Sequence, residues 1–407
     1  MFEALSRVPA DELRRRQNAV RAHLHTIAPG AGGILVFSRL NIYYLTGTFG
    51  QGVLWLPLEG KPVLLIRKGV SRAKLETSLD HILPFKSYSE LPGLCADAGS
   101  PFTSTIAAVM AGLSWQLGSL LATKLKEYTI VPGDHAVALA KMVKSEYELR
   151  ILRECGARHH RCLYDIIPQK IRPGMTEREI AHTAWEAFFS EGHMGIMRMQ
   201  AHGEEIFLGH VAAGDSGNYP SGFNGPLGLR GEHPASALMG NEKKIWKMGE
   251  PLMLDIGFQL EGYHTDKSQS YFAGSESAKS GAIREGHDFC IAMQDWMCAT
   301  AKPGVTPQEL YLYCIEEAQQ QGFAEGFMGL DDNQVPFVGH GIGLTIDEFP
   351  PIAKGFDFPF EKGMVIALEP KQGIRNVGMV GVENTFEITE DGCRCISGDA
   401  YDMIPVE

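Results

Sequence analysis

Along the first third of the chain, apolar and polar positions alternate between helical and strand periods. Ala10 to Thr26 repeats its apolar residues at helical spacing and stops at Pro29-Gly30, which predicts an amphipathic helix. GGILVF predicts a buried strand, and GVLWLPLEGKPVLLIR predicts two strands that turn at Glu59-Gly60 as a hairpin. TSTIAAVMA, a helix over Leu113 to Lys126 and YTIV continue the alternation. The pattern predicts a small α/β domain over residues 1–135, then a short link, then a second domain over 142–407.

The second domain opens on Ser145-Glu146-Tyr147-Glu148, a capping box in which the Ser145 side chain and the Glu148 side chain satisfy each other's backbone amides. The long helix it starts is ended by Pro168. From there the sequence repeats itself. IRPGMTEREIAHTAWEAFFSEG from Ile171 aligns with AKPGVTPQELYLYCIEEAQQQG from Ala301 at a fixed offset of 130 residues. Pro173, Gly174, Thr176, Glu179 and Gly192 meet Pro303, Gly304, Thr306, Glu309 and Gly322. Each copy reads as a Pro-Gly turn, a Thr N-cap with Glu at the third helical position, a helix and a glycine stop. The same offset sets Phe207-Leu208-Gly209-His210 against Phe337-Val338-Gly339-His340. Two related halves about a pseudo-twofold axis follow from that register.

After each copy come apolar strands interrupted by acids. PLMLDIGF carries Asp255, Glu261-Gly262 signals a turn, and the return strand carries Asp266. A tight hairpin there puts both acids on one face as diagonal neighbours. MVIALEP carries Glu369, and VGVENTF carries Glu383. One buried acid is readily explained by an arginine partner or a capped amide. Four in matched positions beside His340 need a cation, because close carboxylates in a dry place repel. The oxygen-rich set suits hard or borderline divalent ions, Mn²⁺, Co²⁺, Fe²⁺ or Zn²⁺, rather than a thiolate zinc site. Two such ions, bridged by carboxylates roughly 3.5–4 Å apart, would share a hydroxide nucleophile.

Composition narrows the alternatives. The 407 residues carry a formal charge of −12, which argues against a nucleic-acid partner. The longest apolar stretch, Ile106 to Ala122, is interrupted by Ser114, Gln116 and Ser119, and no membrane partner is expected. The eight cysteines lack the spacing of a disulfide framework, and the N-terminal stretch lacks the apolar core of a signal peptide, so a reducing cytoplasm is the expected setting.

The strings LDIG, GYHTD, GHGIGL, ALEP and VEN, in that order, resemble the five-ligand signature of the pita-bread metallopeptidases. NIYYLTG and the first domain resemble the creatinase-type N-terminal domain, which points to the aminopeptidase P and prolidase branch. The resemblance implies an α/β N-terminal domain followed by an α+β pita-bread domain with an internal pseudo-twofold repeat, and a homodimer acting on a small peptide or small-molecule substrate. It implies that Asp266 and Glu383 bridge two divalent ions, that Asp255 chelates one, and that His340 and Glu369 bind the other, with Glu369 also moving a proton. The chain departs from the family pattern at four places. Pro220-Ser221 stands where a Pro-His step is usual, Asp347 where a histidine follows the ligand histidine, Gly381-Val382 where an arginine precedes the last acid, and Asn384 where an Asp follows it.

His210, the repeat-mate of His340, is therefore the residue expected to supply the missing catalytic imidazole, with His264, His233 and Asp347 as further substrate-binding candidates. Asp215-Ser216 within GDSG resembles a serine-protease motif but sits in an α/β chain without that fold's pattern. The expected function is a dinuclear metal-dependent hydrolase of the aminopeptidase P or prolidase kind. The alternatives are a small-molecule amide or amidine hydrolase or lyase on the same metals, and a non-catalytic binding module.

Overall fold

The computed structural model describes residues 2–3, 6–200, 206–235 and 239–407. The chain forms two compact units, Met1–Lys141 and Met142–Glu407. The stretch read from sequence as a link is instead a helix, Asp134–Met142. Its run of alanines and valine before Lys141 carries helix propensity that the end of the strand pattern at Pro132 concealed.

The first unit is one mixed sheet with strands β1 (Gly33–Val36), β2 (Gly52–Pro57), β3 (Val63–Ile66), β4 (His81–Pro84), β5 (Thr105–Ala108) and β6 (Thr129–Pro132). Their order is β4-β3-β2-β1-β5-β6. The predicted hairpin is present as the antiparallel pair β2 and β3. Its turn needs Gly60, whose φ of 104° is a region that side chains strain to enter. The predicted first helix spans Ala10–Ile27. Leu35, Trp55, Leu65 and Ile106 fill the core on one face of the sheet.

In the second unit the helix Glu146–His160 starts at the predicted capping box, with the Ser145 hydroxyl accepting from the Glu148 amide at 3.2 Å. The repeat helices are Glu177–Ser190 and Pro307–Gln320, and each begins with a Thr-Glu capping box. The strands are β7 (Gly209–Ala213), β8 (Pro251–Leu260), β9 (Tyr263–Ala273), β10 (Phe337–Gly341), β11 (Glu348–Ala353), β12 (Val365–Leu368), β13 (Lys371–Ile374), β14 (Gly378–Gly381), β15 (Asn384–Ile388), β16 (Cys393–Cys395) and β17 (Ile404–Val406). One sheet runs β17-β9-β8-β7, a second runs β11-β10-β12-β15-β16, and β13-β14 is a separate ribbon. Each repeat thus ends on a histidine-bearing strand, β7 in one sheet and β10 in the other. Ser268 and Glu383 join the sheets, the Ser268 amide donating to the Glu383 carbonyl at 3.2 Å. Ile180, Phe188, Leu254, Ile256 and Phe258 pack the repeat helix Glu177–Ser190 against the first sheet.

Candidate metal centre

All five predicted ligand residues converge, and local register explains how. On the β8–β9 hairpin Gly257 lies opposite Asp266 and Ser268 lies opposite Asp255. Asp255 and Asp266 are therefore diagonal neighbours on one face, as a tight turn requires. In the other sheet Leu368 of β12 lies opposite Asn384 of β15. Glu369 and Glu383 are the next residues outward on each strand, so they flank the point where the ribbon β13–β14 leaves. His340 comes from β10, paired with Ala367 of β12.

The His340 ring fixes the character of the site. Its Nδ1 lies 3.0 Å from the Gly341 carbonyl, which can only accept, so Nδ1 carries the proton. Its Nε2 faces Glu369 Oε1 at 3.7 Å, Asp266 Oδ2 at 3.9 Å and Glu383 Oε1 at 3.9 Å. A lone pair and three carboxylate oxygens turned toward one point is the arrangement a divalent cation requires, and a carbonyl holding the other ring nitrogen is the usual support for a histidine ligand. Asp266, His340 and Glu383 each bring one donor atom within 4.8 Å of the others'. The residues present fit a divalent metal.

Electrostatics agree. Burial, reinforced by the Asp255 charge, pushes the Asp266 carboxyl up to about 7. Burial and then the Asp266 charge hold Glu383 well above the usual carboxylate range. Burial works to raise Asp255 too, but the Lys371 ammonium and His210 outweigh it and hold that carboxyl below its ordinary value.

Lys371 is the residue the sequence analysis missed. It opens β13 two positions after Glu369 and its side chain is fully buried. Its Nζ lies 2.6 Å from Glu383 Oε2, 3.3 Å from Glu369 Oε2 and 3.5 Å from Asp255 Oδ2. Ser268 Oγ completes this side, 2.9 Å from Asp255 Oδ1 and 3.0 Å from Glu383 Oε2. The signal was available: a lysine in the buried string ALEPKQG can keep its charge only beside acids. The departure at Gly381 also has a cause here. Gly381 pairs with Lys371 at φ 132°, and a Cβ on it would lie 2.5 Å from the Pro370 carbonyl oxygen. No arginine fits there.

The other candidates separate. His210 lies opposite Asp255 in the β7–β8 register and lines the cavity beside the acids. Burial lowers its pKa, so it is neutral at neutral pH, and neither ring nitrogen has a protein hydrogen-bond partner among the described residues. Asp347 also lines the cavity, its Oδ1 accepting from the Gln200 amide at 2.6 Å, and burial raises its pKa. His264 does not line the cavity. Its Nδ1 lies 3.1 Å from the Gly343 carbonyl and its Nε2 accepts from the Arg198 amide at 3.2 Å, so both nitrogens position backbone. His233 is exposed, accepts from the Ala235 amide, and is also absent from the cavity wall. Ser221 turns its hydroxyl to the Phe223 amide, and Phe223 rather than Ser221 reaches the cavity, edge-on to His210. The cavity has a volume of about 210 Å³. All eight cysteines are free, and no helix among the described residues is long and apolar enough to cross a membrane.

The model of metallopeptidase family M24 matches residues 150–390, and that of the creatinase/prolidase N-terminal domain matches residues 16–143. The Xaa-Pro dipeptidase of Pyrococcus furiosus is 24% identical over 375 residues, covering 91% of this chain and 94% of the relative. A probable dipeptidase PepE of Mycobacterium tuberculosis is 25% identical over 395 residues, covering 94% of each. Among solved structures, dipeptidase PepE from Mycobacterium ulcerans superposes with a TM-score of 0.80 at 21% identity, covering 98% of this chain and 100% of that one. The X-Pro aminopeptidase from Thermotoga maritima gives 0.76 at 22% identity, covering 95% and 99%.

Proposed function

The chain belongs to metallopeptidase family M24, and from that premise we propose that it is a metal-dependent peptidase that shortens small peptides at their N-terminus. The observation that carries the reading is the His340 Nε2 lone pair turned into oxygens of Asp266, Glu369 and Glu383 at 3.7 to 3.9 Å. A divalent cation held there supplies Lewis acidity, polarising a peptide carbonyl and making water acidic enough to attack at neutral pH. Glu369 offers an oxygen on the same side as His340 Nε2, so it is the base placed to move a proton from water to the leaving amine. Neutral His210, with neither ring nitrogen hydrogen-bonded among the described residues, is placed to hydrogen-bond the developing oxyanion.

The cavity wall carries Asp347, while no lysine or arginine lines it among the described residues. That charge pattern favours a substrate presenting an amine over one held by a free carboxylate. The wider reading includes an ion of the Mn²⁺, Co²⁺, Fe²⁺ or Zn²⁺ class, a homodimer and a cytoplasmic setting. The family resemblance and the eight free cysteines support it. A second ion on Asp255, Asp266 and Glu383 is its fullest form, and Lys371 competes for the Asp255 and Glu383 oxygens. Ser221 and Asp347, standing where the family pattern has histidines, favour a second reading, hydrolysis of a small amide or amidine on the same centre. One panel separates the two: dipeptides, their C-terminally amidated counterparts and simple amidines, each assayed with Mn²⁺, Co²⁺ and Zn²⁺. Release of an N-terminal residue supports the peptidase, with amidated peptides preferred. Turnover of amidines alone transfers the assignment to the second reading, and no release from any peptide with metal bound sinks the first.

A further inference from the structure

The four carboxylates divide their oxygens between a His340 side and a Lys371 side. Glu369 turns Oε1 to His340 and Oε2 to Lys371. Glu383 turns Oε1 to His340 and Oε2 to Lys371 and Ser268. Asp266 gives Oδ2 to the His340 side, while its Oδ1 accepts from the Lys267 amide at 3.0 Å. Asp255 has no oxygen on the His340 side within ion-pair distance. Its Oδ1 is met by Ser268 and its Oδ2 by Lys371.

The oxygens turned away from His340 are thus already met by a cation, a hydroxyl or a backbone amide of the chain itself, and on the His340 side none is met by a lysine or arginine among the described residues. We propose that Lys371 is a built-in cation standing in for one of two metal ions, so that the centre holds a single divalent ion on the His340 side. The argument rests on the metal-dependent reading above and adds how many ions the site takes.

Three physical reasons support the substitution. A divalent ion on a carboxylate oxygen sits about 2.0–2.2 Å from it. Glu383 Oε2, which a second ion would need, already holds the ammonium at 2.6 Å, so the two cations would crowd on one oxygen and repel. The lysine cannot swing out to water, because its side chain is wholly buried and β13 is tied to β14 across Lys371 and Gly381. Gly381 lets the two strands of the ribbon approach there, since a Cβ on it would lie 2.7 Å from the Lys371 Cα. A fixed ammonium differs from a metal in what it can do. It neutralises Asp255 and Glu383 and donates hydrogen bonds, but it has no empty orbital for water or a carbonyl. It is a positioning residue: it holds Oε2 of Glu369 and of Glu383, and leaves the Oε1 of each turned toward the remaining ion.

The test is ion stoichiometry on the full chain. Protein stripped with a chelator and reconstituted with Mn²⁺ is expected to bind one equivalent and to give the electron paramagnetic resonance signal of an isolated ion. Lys371→Met and Lys371→Gln, the second keeping a hydrogen-bond donor in case the first does not fold, are expected to bind two equivalents and give the signal of an exchange-coupled pair. The unaltered chain can overturn the proposal without either variant. Two equivalents with an exchange-coupled signal in it overturn the proposal and leave metal-dependent hydrolysis standing. No bound ion in it overturns both. One ion in the unaltered chain and still only one in folded variants shows that something other than Lys371 excludes the second, and also overturns the proposal.

Discussion

Asp266→Asn should make the metal-free protein more stable while abolishing its response to metal. The replacement is nearly isosteric, and an Asn Oδ1 can still accept the Lys267 amide bond at 3.0 Å. What it removes is a carboxyl whose pKa burial and the Asp255 charge raise from 3.8 to about 7. A raised folded-state pKa means that the group's contribution is fully present below about 3.8 and is lost as pH climbs through about 7. At about 1.4 kcal/mol per pH unit, the displacement amounts to on the order of 4 kcal/mol. Urea unfolding in chelator should therefore show the unaltered chain losing stability between about pH 4 and pH 7 and levelling above. Asp266→Asn should lose the Asp266 share of that slope, leaving a shallower one, and be the more stable of the two at about pH 8. Mn²⁺ at about a hundredfold over its dissociation constant should then add about 2.7 kcal/mol to the unaltered chain and nothing to the variant. Parallel pH profiles in chelator, or a variant less stable at the alkaline end, would refute the claim that Asp266 is an ill-matched buried acid awaiting a cation.

Other substitutions test the remaining assignments. His340→Ala should fold but lose metal uptake in a titration, since among the described residues its Nε2 is the imidazole nitrogen within ion-pair distance of these acids; undiminished uptake would remove it from the ligand set. His210→Ala should keep its metal and lower kcat by about 10²–10³, the usual cost of one preorganised oxyanion donor, and an unchanged kcat would assign His210 to packing against Phe223. His233→Ala should leave kcat and KM alone, because the side chain is exposed and off the cavity wall. Asp347→Asn should raise KM for peptides with a free N-terminal amine more than for acetylated ones, and equal effects on both would sever Asp347 from amine recognition. Phe188→Ala, deep in the core against Phe258, should cost about 3–5 kcal/mol in urea unfolding.

Much of this protein is legible in its sequence because the relevant physics is local. The Pro-Gly turns, Thr-Glu capping boxes and glycine stops at a fixed offset exposed the duplicated halves, since each is a hydrogen-bonding pattern closed within a few residues. The same is true of Asp255 and Asp266. A hairpin turn at Glu261-Gly262 sets register, and register sets which faces the acids share. Glu369 and Glu383 interrupted buried strands, which marks an acid as needing a partner even before the partner is known. The helix Asp134–Met142 was missed for a reason of the opposite kind, because its short alanine-rich run has no apolar stripe long enough to outweigh a preceding strand.

Tertiary structure alone decided which candidates meet the metal side of the cavity. His264 shares a face with Asp266 along β9, as alternation requires, yet the Gly343 carbonyl takes its Nδ1 and the Arg198 amide takes its Nε2. His210 and His264 are both buried histidines on strands, and only packing from outside the strand left one without a hydrogen-bond partner among the described residues and the other spent. Lys371 is the sharpest case. In sequence it is one charge beside a proline. Its meaning depends on three acids from β8 and from the two edges of the β12–β15 pair, brought within 3.5 Å of its ammonium by two sheets that join at Ser268 and Glu383. Periodicity assigns a side chain to a face, but Asp255 reaches Lys371 from a strand far away in the chain, and only the packed fold brings it together with the nearby Glu369 and Glu383.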